Sequence, residues 1–292
     1  MLKAYSDFTK FGIVIFAILT GLAGYALGFQ IETPFSFSQF LSMLFGMYFL
    51  SSGSLALNQV QEREIDMKMK RTANRPLVTG KITPGLGLWL SVVLLLLGHV
   101  LLYWAAPLSM LIGFITVVLY NGLYTYWWKP KMVFGAVPGA LPGSLPVTIG
   151  FSAANPNIFG SDSIYLFLVL FVWQMPHFWT LAIKYKDDYA AGGIPVLPSV
   201  MGTERTLFHI GLYTFLYVGL ALAAPMFVYA SWIYLAFVVP VAIKVMWEFI
   251  KFFKAKGEQH WLSFFLWTNL SMLIFLFVPV IDKWNFLFIG TN

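Results

Sequence analysis

Cysteine is missing from all 292 residues of this chain. Its absence excludes disulfides, thiolate metal sites and covalent haem attachment. Charge is scarce as well: Asp, Glu, Lys and Arg make up 10% of the residues, where soluble domains carry about 25%. No stretch shows the polar–apolar alternation of a membrane barrel. Only about eight residues precede the first apolar run, too few for a cleavable leader. The expected location is therefore a bacterial inner membrane.

What the chain has instead is apolar length. Hydrophobic residues reach 59% and the mean hydropathy is +0.78. Nine runs, approximately 9–29, 37–57, 85–104, 107–127, 133–152, 163–183, 207–228, 232–251 and 261–281, approach the roughly 20 residues needed to cross a bilayer. Backbone groups in lipid must be satisfied within each segment, so the runs are expected to be helices. The expected fold is all-α and polytopic, a single membrane domain covering 1–292.

The basic residues divide sharply across these runs. With a cytoplasmic N-terminus, one face collects Lys3, Lys10, the six from Arg63 to Lys81, Lys129, Lys131, Lys184, Lys186, Arg205, Lys244, Lys251, Lys254 and Lys256. Only Lys283 falls on the other face, the bias that marks the cytoplasmic side. The net charge of +6 thus describes orientation and a phosphate site. It gives no reason to expect a nucleic-acid partner.

Most of the polar residues gather in two connections. The first, NQVQEREIDMKMKRTANRPLVTGKI, runs from Asn58 to Ile82. Within it Asn58, Glu62 and Asp66 fall at i, i+4 and i+8, one face of a helix. Hard cations such as Mg2+ take oxygen ligands of this kind, completed by water and substrate phosphates. Arg63, Lys68, Lys70, Arg71 and Arg75 stand ready to hold phosphates. The stretch reads as a metal-assisted diphosphate site.

The second connection runs from Trp173 to Gly202. His177, Lys184 and Asp188 share one helical face there, and Asp187-Asp188 can complete a metal or diphosphate site opposite Glu62 and Asp66. A carboxylate pair at a solvated helix end is the plain alternative. His177 lies near the predicted membrane boundary, where an imidazole can hydrogen-bond, move a proton or ligate haem iron. His99, His209 and His260 read as structural. Gly135, Gly139 and Gly143 alternate with Pro138, Pro142 and Pro146, which suits close packing or a kinked helix along a cavity. Gly24 and Gly28 read as packing alone.

The first segment, Asn58-Gln59-x-x-Glu62-x-x-x-Asp66, resembles the NDxxDxxxD-type motif of the intramembrane UbiA-type prenyltransferase superfamily. Its continuation, M-x-R-T-x-x-R-P-L and then G, is similar to the protohaem-farnesylating branch. So is the second segment, PHFW…LAIKYKDDY…GIPVLP…G. Where that superfamily usually has carboxylates in its second motif, this chain has His177 and Lys184, as the haem-modifying branch does.

The resemblance implies transfer of farnesyl from farnesyl diphosphate to a vinyl group of haem B, with addition of water, giving haem O. It implies Mg2+ as cofactor, held by Asn58, Glu62, Asp66, Asp187 and Asp188. Arg63, Lys70, Arg71, Arg75, Lys129, Lys131, His177 and Lys184 would contact the substrates. The lipid bilayer is the environment, and a haem A synthase is a partner to test for. Two alternatives stand beside this reading: a sister enzyme acting on a quinone precursor or chlorophyllide, and a membrane transporter or assembly protein. Neither the transporter nor the assembly protein needs two acid-and-base clusters on one face.

Overall fold

The computed structural model describes residues 2–285. A short helix α1 (Leu2–Thr9) precedes the first long one, α2 (Phe11–Gly28). Then follow α3 (Phe37–Gln61), α4 (Pro84–Ala105), α5 (Pro107–Lys131), α6 (Ala136–Ala154) and α7 (Ser161–Lys184). A short α8 (Lys186–Ala191) leads to α9 (Leu197–Leu222), α10 (Trp232–Lys254) and α11 (Trp261–Lys283). Nine of these are long. Eight are long and apolar enough to cross a membrane; α6, diluted by proline, glycine and serine, falls outside that set.

Caps fix where the helices begin. The Ser36, Thr83 and Ser231 side chains accept from the first turns of α3, α4 and α10, and Pro84 and Pro107 occupy first-turn positions where their missing N–H costs nothing. On the face opposite the polar connections, Asp282 accepts from the Ser231 backbone N–H and hydroxyl. Lys283 donates to the last carbonyls of α2, at Leu27 and Phe29. The one basic residue on that face thus caps a helix C-terminus.

Three spans differ from expectation by four residues or more, the second continuing to Gln61 where 57 was expected. The seventh span was expected at 207–228, but the helix runs Leu197–Leu222 with a break at Gly202, whose φ is 83°. Pro225 then sits in a 3-10 turn, Ala224–Met226, since its ring blocks continuation of the helix. The fourth span reaches Lys131 where 127 was expected, and Val118–Trp128 winds as a π-helix inside it. Such segments favour functional sites, and hydropathy does not signal them.

Two apolar cores share α2 and α6. One packs α3, α4 and α5 through Met43, Met47, Leu50, Leu102 and Ile112. The other packs α7, α9, α10 and α11 through Tyr165, Trp179, Tyr217, Tyr234 and Phe275. The helices α2 and α6 touch backbone to backbone: a Cβ on Gly24 would lie 2.0 Å from the Val147 carbonyl oxygen, and one on Gly150 1.9 Å from that of Gly21. The packing reading of Gly24 and Gly28 holds, Gly28 lying against Phe151. Packing also accounts for the glycines of α6, where Gly139 lies against the Tyr124 ring and Gly143 against Gln174. Large side chains left exposed, among them Trp89, Leu96, Phe208, Phe215 and Trp247, face outward where lipid lies.

Candidate functional site

At the end of α3 the helix yields at Glu62, whose backbone turns to φ −98°, ψ 7°, before a single further turn, Arg63–Asp66. The single helical face expected for Asn58, Glu62 and Asp66 is therefore broken at its middle member. Backbone bonds from Glu62 N–H to Asn58 and from Asp66 N–H to Glu62 keep the register. All three side chains end up buried, at 1%, 3% and 1% exposure.

Buried carboxylates require compensating charge, and each polar group here has its own cation. Lys10 Nζ donates to Asn58 Oδ1 at 2.9 Å. Lys129 Nζ pairs with Glu62, and Arg75 pairs with Asp66 Oδ2. Burial alone would push the Glu62 carboxyl up; Lys129 and Lys10 outweigh it and hold it below the ordinary range. Burial pushes the Lys10 ammonium down to about 7, with Arg75 adding to the effect and Glu62 opposing it.

The π-helical part of α5 builds the far wall. Asn58 Nδ2 donates to Thr125 Oγ1 at 3.1 Å, and Thr125 in turn donates to the Tyr120 carbonyl. Asn121 bonds Ser54 and Gln61 through both ends of its amide. These bonds fix α5 against α3 and bring Lys129 over Glu62. Beside them Tyr120 and Tyr124 stack at 5.7 Å. A cavity of about 120 Å3 adjoins, lined in part by Tyr124, Lys129, Trp179, Tyr189 and Leu197. A wider cleft of about 540 Å3 opens at the mouth, lined in part by Ser6, Lys10, Arg71, Asn74 and Arg75.

The remaining predicted residues scatter. Arg63 Nε donates to the Leu77 carbonyl, 3.2 Å away. Lys70 and Lys131 are exposed. The Arg71 guanidinium lies over the Tyr185 and Tyr189 rings. Asp188 accepts the backbone N–H groups of Lys70 and Arg71 at 3.2 and 3.0 Å, and Asp187 is exposed. The structure therefore does not gather Asp187 and Asp188 with Asn58, Glu62 and Asp66 into one ligand set. Each Asp188 oxygen accepts one backbone N–H and keeps a further lone pair.

His177 is sandwiched on α7 by Trp173 and Phe265, at ring distances of 4.7 and 4.9 Å, and its Nδ1 is buried without a partner. Lys184 stands 4.9 Å above the Trp261 ring. Both belong to an aromatic wall between α7 and α11, apart from the carboxylates.

Among the described residues no three His, Cys, Asp or Glu side chains stand close enough to hold a metal alone. The oxygen donors nonetheless suit a hard cation. Asp66 Oδ1 is buried without a hydrogen-bond partner, a lone pair left for a ligand. Asn58 and Glu62 are buried on the same stretch, and water and phosphate oxygens would complete a shell of the kind Mg2+ prefers. Lys10 escaped notice in the sequence because a lysine before a first span reads as a topology charge. Asn121 and Thr125 carried a signal, polar groups inside an apolar run.

Comparison with known proteins adds independent findings. The profile of the UbiA prenyltransferase family matches residues 13–270. A protoheme IX farnesyltransferase of Bdellovibrio bacteriovorus is 61% identical over 292 residues, covering 100% of both chains. One from Bacillus mycoides is 34% identical over 287 residues, covering 96% of this chain and 91% of its own. The structure of digeranylgeranylglyceryl phosphate synthase superposes with a TM-score of 0.77 at 20% identity, covering 96% of this chain and 98% of that one. A UbiA homologue from Archaeoglobus fulgidus, bound to GPP and Mg2+, gives 0.67 at 14% identity, covering 95% and 99%.

Proposed function

The chain belongs to the UbiA prenyltransferase family, and from that premise we propose that it transfers the farnesyl group of farnesyl diphosphate to a vinyl group of protohaem IX (haem B). Water adds to the product carbocation, giving haem O. The observation that carries this reading is the buried Asn58–Glu62–Asp66 row, each member matched to a cation at the edge of a basic cleft. Such a site is built for a polyanion and a hard metal together. The relatives named as protoheme IX farnesyltransferases support the choice of acceptor.

Asn58, Glu62 and Asp66 would hold Mg2+. When bound, the metal neutralises the diphosphate as the C–O bond breaks. Arg71, Arg75 and Lys10, which border the cleft, orient the diphosphate by charge-assisted hydrogen bonds. Lys129, poised over Glu62, adds charge at the inner end. Breaking the C–O bond leaves an allylic cation, which the electron pair of the haem vinyl captures. The stacked Tyr120 and Tyr124 keep water from that cation before capture. We assign the haem side of the reaction to the cluster of Trp173, His177, Phe265 and Trp261, where Lys184 beside Trp261 would pair with a propionate.

We place the polar connections on the cytoplasmic face of a bacterial inner membrane, on the strength of the segregated basic residues. Pigment analysis of membranes from expressing cells tests the reaction. Haem O should accumulate, and purified protein should form it from haem B and farnesyl diphosphate only while Mg2+ is present. Formation of a prenylated quinone precursor with no haem O would refute the assignment.

A further inference from the structure

Glu248 on α10 is buried at 1% exposure and belongs to neither the carboxylate row nor the aromatic cluster. Two ammonium groups cover it. Lys244 Nζ and Lys251 Nζ both bond Glu248 Oε1, at 2.7 and 2.8 Å. The other oxygen, Oε2, accepts the Ser263 hydroxyl at 2.8 Å, which ties α10 to α11. Lys244 also stands 5.3 Å from the centre of the Trp267 ring. This junction lies towards the end of the bundle that carries the polar connections, where Gly257 packs against Thr203 and Ile183.

The charges here do not balance. Two cations share one carboxylate, and neither is enclosed: the lysine side chains keep 38% and 34% exposure. Their surroundings are apolar. Ile243, Trp247 and Ile250, each next in sequence to a member of the triad, are exposed at helical spacing, and Leu266 is exposed on the facing helix. A stripe of this kind meets lipid. Each ammonium has three N–H donors, and Glu248 takes one from each lysine. Surplus charge and spare donors beside lipid are costly unless an anion meets them.

We propose that the junction of α10 and α11 binds one phospholipid with a net negative headgroup, its phosphate on the Lys244 and Lys251 ammonium groups and its acyl chains along Ile243 and Trp247. One phosphodiester charge matches the surplus of one. A zwitterionic headgroup brings its own ammonium and leaves that surplus in place. The apolar stripe beside the lysines favours a lipid over a free phosphate. The site uses neither the substrates nor the metal of prenyl transfer.

The test takes intact wild type, Lys244→Gln, Lys251→Gln and Lys3→Gln in detergent and titrates each with phosphatidylglycerol, phosphatidylcholine or inorganic phosphate. Native mass spectrometry counts what is bound. Either glutamine at the junction leaves Glu248 paired with the remaining lysine, so the fold is kept and the surplus charge is gone. Lys3, exposed on α1, removes the same charge elsewhere. Wild type should bind one phosphatidylglycerol about fivefold more tightly than phosphatidylcholine, as one lysine charge at a membrane surface provides. Lys3→Gln should match wild type, and both junction variants should lose the preference. A preference kept in the junction variants, lost equally in Lys3→Gln, or missing from wild type would overturn the site. Inorganic phosphate that displaces phosphatidylglycerol at equal concentration would make the occupant a free anion and overturn the lipid.

Discussion

Replacing Asp66 by asparagine tests the site at its most buried carboxylate. The side chain keeps its shape, so the change is one of charge and of one acceptor. Asp66 Oδ2 receives Arg75, and Oδ1 has no partner. The amide must choose. With its oxygen kept towards Arg75, its NH2 takes the place of the free oxygen and cannot ligate a metal. Flipped, it sets a donor against the guanidinium. Hydrogen bonds to charged groups contribute about 1.5–3 kcal/mol, and a neutral acceptor keeps roughly half of that. Arg75 is 19% exposed, so water recovers part of the remainder, and the expected loss of stability is about 1 kcal/mol. Losing an electrostatic contact made to the developing charge lowers turnover by about a hundredfold to a thousandfold. The assay pairs the rate of haem O formation with thermal unfolding in detergent. A rate within about threefold of wild type, in protein that unfolds normally, would refute the assignment of Asp66. Alanine is the poorer choice, since it would leave Arg75 facing a void.

Lys10 should make diphosphate binding depend on pH. Its ammonium, pushed by burial to about 7, is charged below that pH and neutral above it, so as pH rises through 7 the ratio of wild-type to Lys10→Met affinity for inorganic diphosphate should fall. The unfolded chain keeps the same lysine protonated to about pH 10.4, so wild type should gain stability between those two values and Lys10→Met should lack that gain; a pH-independent difference between the two would refute it. Gly24→Val sets a branched side chain where a single Cβ already lies 2.0 Å from a backbone carbonyl. It should destabilise by roughly 1–3 kcal/mol, visible as a lowered unfolding temperature, and no shift would mean that α2 and α6 do not touch as described.

Much of this fold was legible because lipid imposes a length on every segment. Hydropathy alone placed nine long helices, and it slipped only where something other than apolarity sets a boundary. At α9 that was the positive φ of Gly202 and the ring of Pro225; α3 and α5 run on into polar residues. In the site, the spacing of Asn58, Glu62 and Asp66 pointed to three residues that the fold buries, although the helix breaks at Glu62. The cations were harder to assign. Several basic residues in one loop look alike in sequence, and only the fold distinguishes Arg75 on Asp66 from Arg63 on a backbone carbonyl. Lys129, which the family resemblance placed among the substrate contacts, and Lys10, which nothing local announces, both reach the site from elsewhere in the chain. Asp188 belongs with them: nothing in the sequence says that its oxygens meet the backbone N–H groups of Lys70 and Arg71.

The bonds from Lys283 to the carbonyls of α2 have a consequence for how the protein is made. They join residues 256 and 254 positions apart, nearly the length of the chain. Helices leave a ribosome in order, so α2 is inserted before the lysine that caps it exists, and water must meet its last carbonyls until α11 arrives. The bundle therefore closes as a ring, and its last seam is made between the earliest long helix and the latest. A chain cut before α11 would keep Lys10, Asn58, Glu62, Asp66, Arg75 and Lys129, every member of the charged row. It would lose the seam and both Trp261 and Phe265 from the aromatic wall. Assembly from two separately expressed halves, split in the connection between α10 and α11, would show whether that late closure can be made without the covalent link.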